Sequence, residues 1–323
     1  MKPSRRHFLL LAAGVAVSPF IAPLAWAQVY PTRSVRIIVG YPSGGSADIT
    51  ARLIGQSLSA RLSQQFVVEA RPGAATNIAT EEVARAAPDG YTLLLVTQTN
   101  AVNTTLYDKL NFNFIGDIAP VASILRVPGV MVVNPSFPAK TVAEFIAYAK
   151  ANPGKLNMGS AGPGSAQHLY GELFKLMTGI EMVHVPYRGQ VLTGLIGGEV
   201  QVVFNPVPST IEFIEAGKLR ALAVTTAMRV QALPAIPTVA ESVPGYEASG
   251  WFGIGAPKGT PAEIVGKLNQ EINATLADPK LKAQIANLGG SVLTGSPDEF
   301  GKLIAAETQK WGKVVKTASI KLD

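Results

Sequence analysis

A short apolar strand, a glycine-rich turn and an amphipathic helix follow one another repeatedly along this chain, and this order constrains its fold more than any other feature. Residues 35–39 (VRIIV) predict a buried strand, residues 40–48 a glycine-rich turn, and the apolar residues after them have a near-helical spacing. Further strands are predicted at 92–96, 130–133, 156–159, 182–185, 200–204 and 219–224. Strands that alternate with helices predict an α/β protein whose sheets are mostly parallel and covered by helices on both faces.

Three helix N-termini can be placed from capping signals. Thr141 and Glu144 have the spacing of a capping box. The pairs Thr260-Pro261 and Ser296-Pro297 each precede a long amphipathic stretch. Trp311 falls on the apolar stripe of the last of these helices, so we expect it in the core rather than in a binding site.

Composition indicates a globular chain and excludes several kinds of chemistry. With 323 residues, 47% of them hydrophobic, the chain exceeds the roughly 250–300 residues at which single cores stop growing, so we expect one large or two ordinary domains. The chain has no cysteine, which excludes disulfides, a cysteine nucleophile, thiolate zinc sites and Cys-ligated iron–sulfur clusters. Since it has only three histidines, a His-rich metal centre is also excluded. A metal site that uses carboxylates stays formally open, but we expect neither a metal nor another cofactor.

Residues 1–27 have the features of an export signal. They carry three basic side chains and no acidic one, then an apolar run, then the small-residue end Ala25-Trp26-Ala27. The apolar run is about ten residues long, half of what a membrane-spanning helix needs. We therefore expect cleavage after Ala27. The segment Ser4–Leu9 (SRRHFL) is similar to the twin-arginine signal, with an ordinary Sec signal as the alternative.

Removal of this segment lowers the formal net charge from +6 to +3. No basic run or RNA-binding signature occurs in the remaining chain, so we expect no nucleic-acid partner. No later stretch has 18 uninterrupted apolar residues, and we therefore expect the mature protein to be soluble in the periplasm.

The first glycine-rich turn, 40–48 (GYPSGGSAD), joins a predicted strand to a helix N-terminus. Unpaired backbone N–H groups at such a place bind anions. Ser46 can cap the helix, and Asp48 in its first turn complements the helix dipole. The turn lacks the lysine of a P-loop, which disfavours a nucleotide phosphate. Alternatively, Gly44 and Gly45 serve only to make a tight turn.

A second turn, 159–168 (GSAGPGSAQH), repeats this arrangement. Ser160 and His168 raise the question of a hydrolase, but the frame lacks the first glycine of G-x-S-x-G. His168 either donates a hydrogen bond to a ligand or loop, or is a structural histidine. Likewise, the segment 184–189 (HVPYRG) lies either at a cleft rim, where Arg188 pairs with a carboxylate, or in internal hydrogen bonds.

Several motifs, in this order, resemble the Bug family, the periplasmic substrate-binding proteins of tripartite tricarboxylate transporters. They are YPSGGSAD at 41–48, RPGA at 71–74, APDGYTLL at 87–94, HVPYRG at 184–189, LPAIPT at 233–238 and APKGTP at 256–261. The resemblance covers essentially the whole chain after residue 27. It implies a type II periplasmic-binding-protein fold, with two α/β lobes of mostly parallel sheet and a ligand cleft between them.

Two chain crossings are expected in such a fold, and turn-rich segments mark where they fall. These segments are 126–129 (RVPG) and 244–246 (PGY). We therefore expect one lobe at 28–127 plus 247–323 and the other lobe at 128–246.

The resemblance implies that each lobe supplies one glycine-rich loop and that the two loops grip a ligand carboxylate through backbone N–H groups and hydroxyls. The expected ligand-binding residues are Tyr41, Ser43, Gly44, Gly45, Ser46, Asp48, Ser160, Ala161, Gly162, Gly164, Ser165, His168, Tyr187 and Phe204. Tyr41 and Phe204 flank an apolar ligand body in this interpretation, or pack in the core. Two departures affect the rim: Ala75-Thr76 stands where the family usually has glycines, and the segment Gln190–Leu192 is about two residues short.

The expected function is that of a receptor without catalytic residues. It captures a small organic acid, a di- or tricarboxylate or an aromatic carboxylate, and delivers it as a monomer to the membrane permease subunits of a tripartite tricarboxylate transporter. A ligand sensor for a signalling partner is the first alternative. A hydrolase that uses Ser160 or Ser165 with His168 is disfavoured because the sequence places no acid to orient the base.

Overall fold

The computed structural model describes residues 30–187, 191–287 and 289–322. The expected signal segment 1–27 with its cleavage site, and Arg188, Gly189 and Gln190 after the HVPY part of the fourth motif, lie outside the described residues. Within the described ranges, no helix combines the length and the apolar character needed to cross a bilayer.

The described residues form ten strands. They are β1 (Val35–Val39), β2 (Phe66–Ala70), β3 (Thr92–Thr97), β4 (Ile118–Val133), β5 (Asn157–Ser160), β6 (Val183–Pro186), β7 (Val202–Pro206), β8 (Arg220–Val224), β9 (Ser249–Pro257) and β10 (Ser291–Val292). The seven strands predicted from apolar runs all occur, within one or two residues at most ends, although the run at 130–133 is only the end of the much longer β4.

Eleven α-helices accompany the strands in the described residues. They are α1 (Ser46–Leu62), α2 (Asn77–Ala84), α3 (Gln98–Leu106), α4 (Phe114–Asp117), α5 (Val142–Ala151), α6 (Ala166–Thr178), α7 (Val191–Ile196), α8 (Ile211–Glu215), α9 (Ala262–Ala277), α10 (Pro279–Asn287) and α11 (Pro297–Thr317). The start of α11 follows from its sequence, because Ser296 and Glu299 form a reciprocal capping box and Pro297 occupies the first helical position.

Two sheets share one strand. The first sheet has the order β2-β1-β3-β9-β4-β10, and the second has the order β8-β4-β7-β5-β6. Strand β4 belongs to both, since its residues 118–128 pair with β9 and its residues 129–133 pair with β7 and β8. We call each sheet with its covering helices a lobe.

Parallel pairing is confined to the strands that helices connect. Strands β1, β2 and β3 pair in parallel in the first lobe, as do β5, β6 and β7 in the second. In contrast, β4 and β9 make antiparallel pairs with every neighbour. The α/β class is confirmed, and the sheets are mixed because β4 and β9 each run antiparallel to the strands with which they pair.

The last helix packs on both lobes. Its early residues Phe300 and Ile304 belong to an apolar cluster with β3 and Trp251, whereas Trp311 and Val315 belong to the core of the second lobe. The expectation that Trp311 is a core residue is confirmed, since its side chain is fully buried. The predicted lobe boundaries stay a prediction, but α11 cannot be assigned to the first lobe alone.

Candidate functional site

A cavity of about 660 Å³ lies between the two sheets, where β4 passes from one to the other. Its wall consists of residues within 41–47, 97–99, 127–129, 166–170, 206–209 and 250–252. Three of these segments follow the carboxyl ends of β1, β3 and β7. Ligands of open α/β sheets bind at the carboxyl ends of the strands, so this cavity is the candidate site.

A wider depression of about 830 Å³ lies on the other side of β4. Arg126 lines it, while Val127 lines the 660 Å³ cavity, because neighbouring residues of a strand point to opposite faces. None of the predicted site residues lines this depression. We therefore build the site around the cavity between the sheets.

The first glycine-rich turn presents the N-terminus of α1 to the cavity. Gly45 is the N-cap residue and no side chain caps the helix, so the expected capping role of Ser46 is wrong. Ser46 instead begins the helix and lines the cavity, together with Ser43 and Gly45. Since the first N–H groups of a helix have no partner within it, this end can donate hydrogen bonds to an anion.

Asp48 stabilises the turn from behind. Its Oδ2 accepts hydrogen bonds from the Gly44 N–H at 3.0 Å and from the Arg52 guanidinium at 2.9 Å. The hydrogen bond from Arg52 lowers the pKa of the Asp48 carboxyl, so the group stays ionised at neutral pH. Asp48 is buried and does not line the cavity, and the neighbouring arginine balances its negative charge.

Tyr41 contributes an aromatic wall to the cavity. Its hydroxyl shares hydrogen bonds with Thr99 Oγ1 at 2.7 Å and with Thr97 Oγ1 at 3.4 Å. These contacts tie the turn after β1 to the end of the neighbouring strand β3, and they fix the ring in the wall.

The second glycine-rich turn is held by a group of buried polar side chains. Ser160 Oγ shares a 2.6 Å hydrogen bond with His184 Nε2 and accepts one from the Gly162 N–H at 2.9 Å. Ser165 is the N-cap residue of α6 and accepts from the His168 N–H. This side-chain network fixes the turn, and the cavity wall contains Ala166 and Tyr170 from the helix that follows.

Two histidines are stacked beneath this turn. The centroids of the His168 and His184 rings lie 3.6 Å apart, and the two ring planes are nearly parallel, with an angle of 6° between them. His168 Nδ1 accepts from the Gly164 N–H, so of the two alternatives for His168 the structural one describes its contacts. Burial, and then the proximity of His168, lower the pKa of His184 to about 4, which leaves its ring neutral at neutral pH.

A hydrolytic triad is not assembled among the described residues. Ser160 is fully buried and bonds to His184 rather than to His168. Glu172 lies 3.6 Å from His168, but within residues 30–187, 191–287 and 289–322 no carboxylate hydrogen-bonds to His184. The same ranges contain no group of three or more His, Cys, Asp or Glu side chains placed so that it could hold a metal ion.

Four of the predicted site residues line the cavity, and the other ten are not part of its wall. Those in the wall are Tyr41, Ser43, Gly45 and Ser46. Tyr187 donates from its hydroxyl to Glu199 at 2.7 Å, and Phe204 is fully buried against Phe174. For Phe204 the core interpretation therefore holds, because its side chain faces the second-lobe core and not the cavity.

Sequence reasoning missed the residues at the end of β3 and on β9. Thr97, Gln98 and Thr99 line the cavity directly after the predicted strand 92–96, so the carboxyl end of that strand was the signal that could have located them. Trp251 and Phe252 line it from β9, which the apolar pattern did not reveal. Trp251 is fixed by a hydrogen bond from its Nε1–H to Glu307 of α11.

The cavity wall in the described residues contains no charged side chain. Its donors are hydroxyls, one side-chain amide and the backbone N–H groups at helix N-termini, and the remainder is apolar and aromatic. Such a wall can bind an anion through neutral donors and can cover an apolar ligand body.

The comparisons with known proteins agree with these features. A family model described as the tripartite tricarboxylate transporter family receptor matches residues 50–320. Protein BugT of Bordetella pertussis is 37% identical over 322 residues, covering 98% of each chain. A solved structure of R. palustris Rpa4515 with adipate is 40% identical with a TM-score of 0.77, covering 90% of this chain and 99% of that one.

A second solved structure, MatC (Rpa3494) from Rhodopseudomonas palustris with bound malate, is 30% identical with a TM-score of 0.73, and covers 88% of this chain and all of that one. These likenesses confirm the two-lobe α/β fold and the resemblance to the Bug proteins that the motifs predicted. The chain belongs to the tripartite tricarboxylate transporter receptor family.

Proposed function

We propose that this protein is a periplasmic receptor that binds a small organic acid between its two lobes and delivers it to the membrane permease subunits of a tripartite tricarboxylate transporter. Membership of the receptor family supports this role, and so do the adipate and malate described with two of its structural neighbours. The observation that carries the proposal is the open N-terminus of α1, with Ser43 and Ser46, in the wall of an interlobe cavity to which the described residues contribute no charged side chain.

The carboxylate binds where the two glycine-rich turns approach the cavity. In the first lobe, Ser43, Gly45 and Ser46 supply hydroxyl and backbone donors, and in the second lobe the turn 161–165 supplies the others when the lobes close. Hydrogen bonds to a charged group are worth about 1.5–3 kcal/mol each, so three or four of them are compatible with a micromolar dissociation constant, near −8 kcal/mol, once ordering costs are subtracted.

The protein binds its ligand without converting it. Ser160 is fully buried, and its hydroxyl is engaged with His184 and with the Gly162 N–H. The hydroxyl is therefore shielded from the cavity. An organic acid incubated with the protein should be recovered unchanged. Product formation over many turnovers that disappears in Ser160→Ala would contradict the receptor role.

A calorimetric screen tests the proposal directly. The purified chain from residue 28 is titrated with mono-, di- and tricarboxylic acids and with aromatic acids, and we expect one-to-one binding of at least one of them. Ser46→Glu places a negative charge at the N-terminus of α1 and should abolish this binding. Gln65→Glu adds the same charge beyond the other end of α1 and should leave it unchanged. Equal affinities in the two variants would rule out this helix end as the anion site.

A further inference from the structure

Gln98 carries an unused hydrogen-bond donor in the cavity wall. The residue is 6% exposed and lines the cavity at the first position of α3. Its Nε2 is buried and has no hydrogen-bond partner among the described residues. Because a buried donor without a partner costs about 1–3 kcal/mol, such groups in native proteins are normally satisfied by water or by a ligand.

The other end of the same amide is occupied. Gln98 Oε1 accepts a hydrogen bond from the Tyr170 hydroxyl at 3.1 Å. Burial raises the pKa of Tyr170 well above its usual value, so the hydroxyl remains protonated and able to donate. With Oε1 engaged in this way, the amide is oriented so that Nε2 is left for an acceptor in the cavity.

Tyr170 is itself rigidly placed. Its ring stacks on Trp311 with centroids 5.6 Å apart, and its carbonyl accepts from the Tyr246 hydroxyl at 3.0 Å. Since Gln98 is the first residue of α3 and Tyr170 belongs to α6, the hydrogen bond between them joins the start of α3 to the helix after the second glycine-rich turn.

The contact between Gln98 and α6 lies away from the N-terminus of that helix, into which the second glycine-rich turn leads. Tyr170 is four residues after Ala166, which at 1.5 Å per residue places it about 6 Å along α6 from the N-terminus of that helix. Val127, Pro128, Trp251 and Phe252 give the same cavity an apolar wall. A ligand that reaches both places needs a carboxylate at one end, an apolar middle and an acceptor at the other end.

We infer that Gln98 is a specificity-determining residue whose Nε2 donates a hydrogen bond to an acceptor at the far end of a bifunctional organic acid with an apolar middle. The inference rests on the proposed function, because it assumes that the glycine-rich turns hold the carboxylate of that acid. It predicts that an acid with a distal carbonyl group binds more tightly than the same acid without it.

Matched pairs of acids test this inference by calorimetry. Each pair consists of an alkanoate and the oxoalkanoate with its ketone at the second-to-last carbon, namely hexanoate with 5-oxohexanoate, heptanoate with 6-oxoheptanoate, and octanoate with 7-oxooctanoate. We expect at least about tenfold tighter binding of the oxo acid in one or more pairs. Gln98→Met, which keeps the length of the side chain and removes the donor, should reduce that ratio to about one.

Tyr170→Phe is the matched control. It removes the same hydrogen bond between Gln98 and Tyr170 but keeps the Nε2 donor. The oxo acid should therefore still bind more tightly than its partner acid, by a smaller ratio than in the wild type because Tyr170 no longer orients the amide. If Gln98 only held α3 and α6 together, both variants would weaken the binding of each acid in a pair equally. The ratio of the two affinities would then stay as in the wild type, which would overturn the inference.

The wild-type protein gives a second test. If it bound both acids with equal affinity in all three pairs, the inference would be overturned but the receptor function would stand. Absence of binding by any carboxylic acid in the wider screen would overturn both.

Discussion

At the scale of a single residue, the protonation of His184 makes the stability of the fold depend on pH. Its folded pKa of about 4 lies below its usual 6.5, because the ring is buried and lies against His168. Between these two values the unfolded chain binds a proton that the folded chain does not, so stability is lost as pH falls from about 6.5 to 4. We expect a loss on the order of 1 kcal/mol between pH 7 and pH 5, after allowing for the partial exposure of the ring.

Urea unfolding at pH 7, 6 and 5 measures this effect. In His184→Gln the side-chain carbonyl can still accept the Ser160 hydroxyl but does not titrate, so its stability should change less over the same pH range. Parallel pH curves for the two proteins would show that His184 is not the group responsible.

The backbone conformation favours glycine at both position 44 and position 164, but only Gly164 also lacks room for a Cβ. Both have positive φ, of 88° and 71°, which costs a residue with a Cβ roughly 1–2 kcal/mol. A Cβ at Gly44 would meet no atom within 4 Å, whereas at Gly164 it would overlap the Leu106 side chain of α3. We expect Gly164→Ala to destabilise the fold more than Gly44→Ala does, by at least about 1 kcal/mol.

A double-mutant cycle with Leu106→Ala measures the difference. If the overlap is the cause, Gly164→Ala should cost less in the Leu106→Ala background, while the cost of Gly44→Ala should be the same in both backgrounds. Equal costs for Gly164→Ala with and without Leu106 would assign its effect to the backbone alone.

Residue spacing located the second turn but not its hydrogen-bond partners. Ser160 and His168 are close in sequence, yet Ser160 bonds to His184, which lies 24 positions away on the parallel neighbour β6. The pairing follows from the register of β5 against β6, in which Met158 lies opposite His184. No periodicity in one chain specifies the register between two strands, so this contact could not be derived from the sequence.

At the scale of elements, the segment between β2 and α2 is held in a conformation that its residues disfavour. Ala74, Ala75 and Thr76 all have positive φ, of 44°, 49° and 76°. Side chains of α3 stabilise it: Asn100 donates to Thr76 Oγ1 at 3.1 Å, and Asn103 donates to the Ala75 carbonyl at 2.6 Å. Ala75 and Thr76 are the two residues at which the resemblance to the Bug family led us to expect glycines.

Ala75→Gly should therefore stabilise the protein. Relief of roughly 1–2 kcal/mol of left-handed backbone strain exceeds the roughly 0.5–1 kcal/mol of extra conformational entropy that glycine loses on folding. The expected gain is up to about 1 kcal/mol in the free energy of unfolding in urea. Ala79→Gly, in the buried interior of α2, is the contrasting change and should destabilise. A lower unfolding midpoint for Ala75→Gly would contradict the assignment of strain to this segment.

The strands could be predicted from the sequence where apolar runs were short and ended at turns. The prediction failed for β4, the strand that crosses from one sheet to the other. Pro128 and Gly129 were interpreted as turn residues, but β4 continues through both of them, and through Pro120 as well. Its pairing with β9 shifts register between Pro120 and Ala122 and again between Ser123 and Leu125. These irregularities allow a proline-containing strand to remain in both sheets, and only the tertiary pairing reveals them.

At the scale of the whole molecule, the route of export is a property of the N-terminal segment that lies outside the described residues. The predicted twin-arginine signal carries a folded protein across the membrane, so Arg5→Lys with Arg6→Lys should sharply reduce the amount of protein in the periplasm. N-terminal sequencing of the exported wild type should begin at Gln28. Unchanged export of the double variant would leave the Sec signal as the interpretation.

At the same scale, we expect the two lobes to close on the ligand. The lobes are joined by β4, by the chain that leads into β9, and by α11, which packs on the apolar clusters of both. A carboxylate held by donors from both lobes favours the closed arrangement because its hydrogen bonds are completed only there. Solution scattering of the chain from residue 28 should therefore give a smaller radius of gyration with a saturating acid from the calorimetric screen. Ser46→Glu should show no compaction at the same concentration, and Gln65→Glu should show the wild-type change. An identical radius with and without a bound acid in the wild type would mean that the carboxylate is held by one lobe, and that the turn 161–165 is not part of its site.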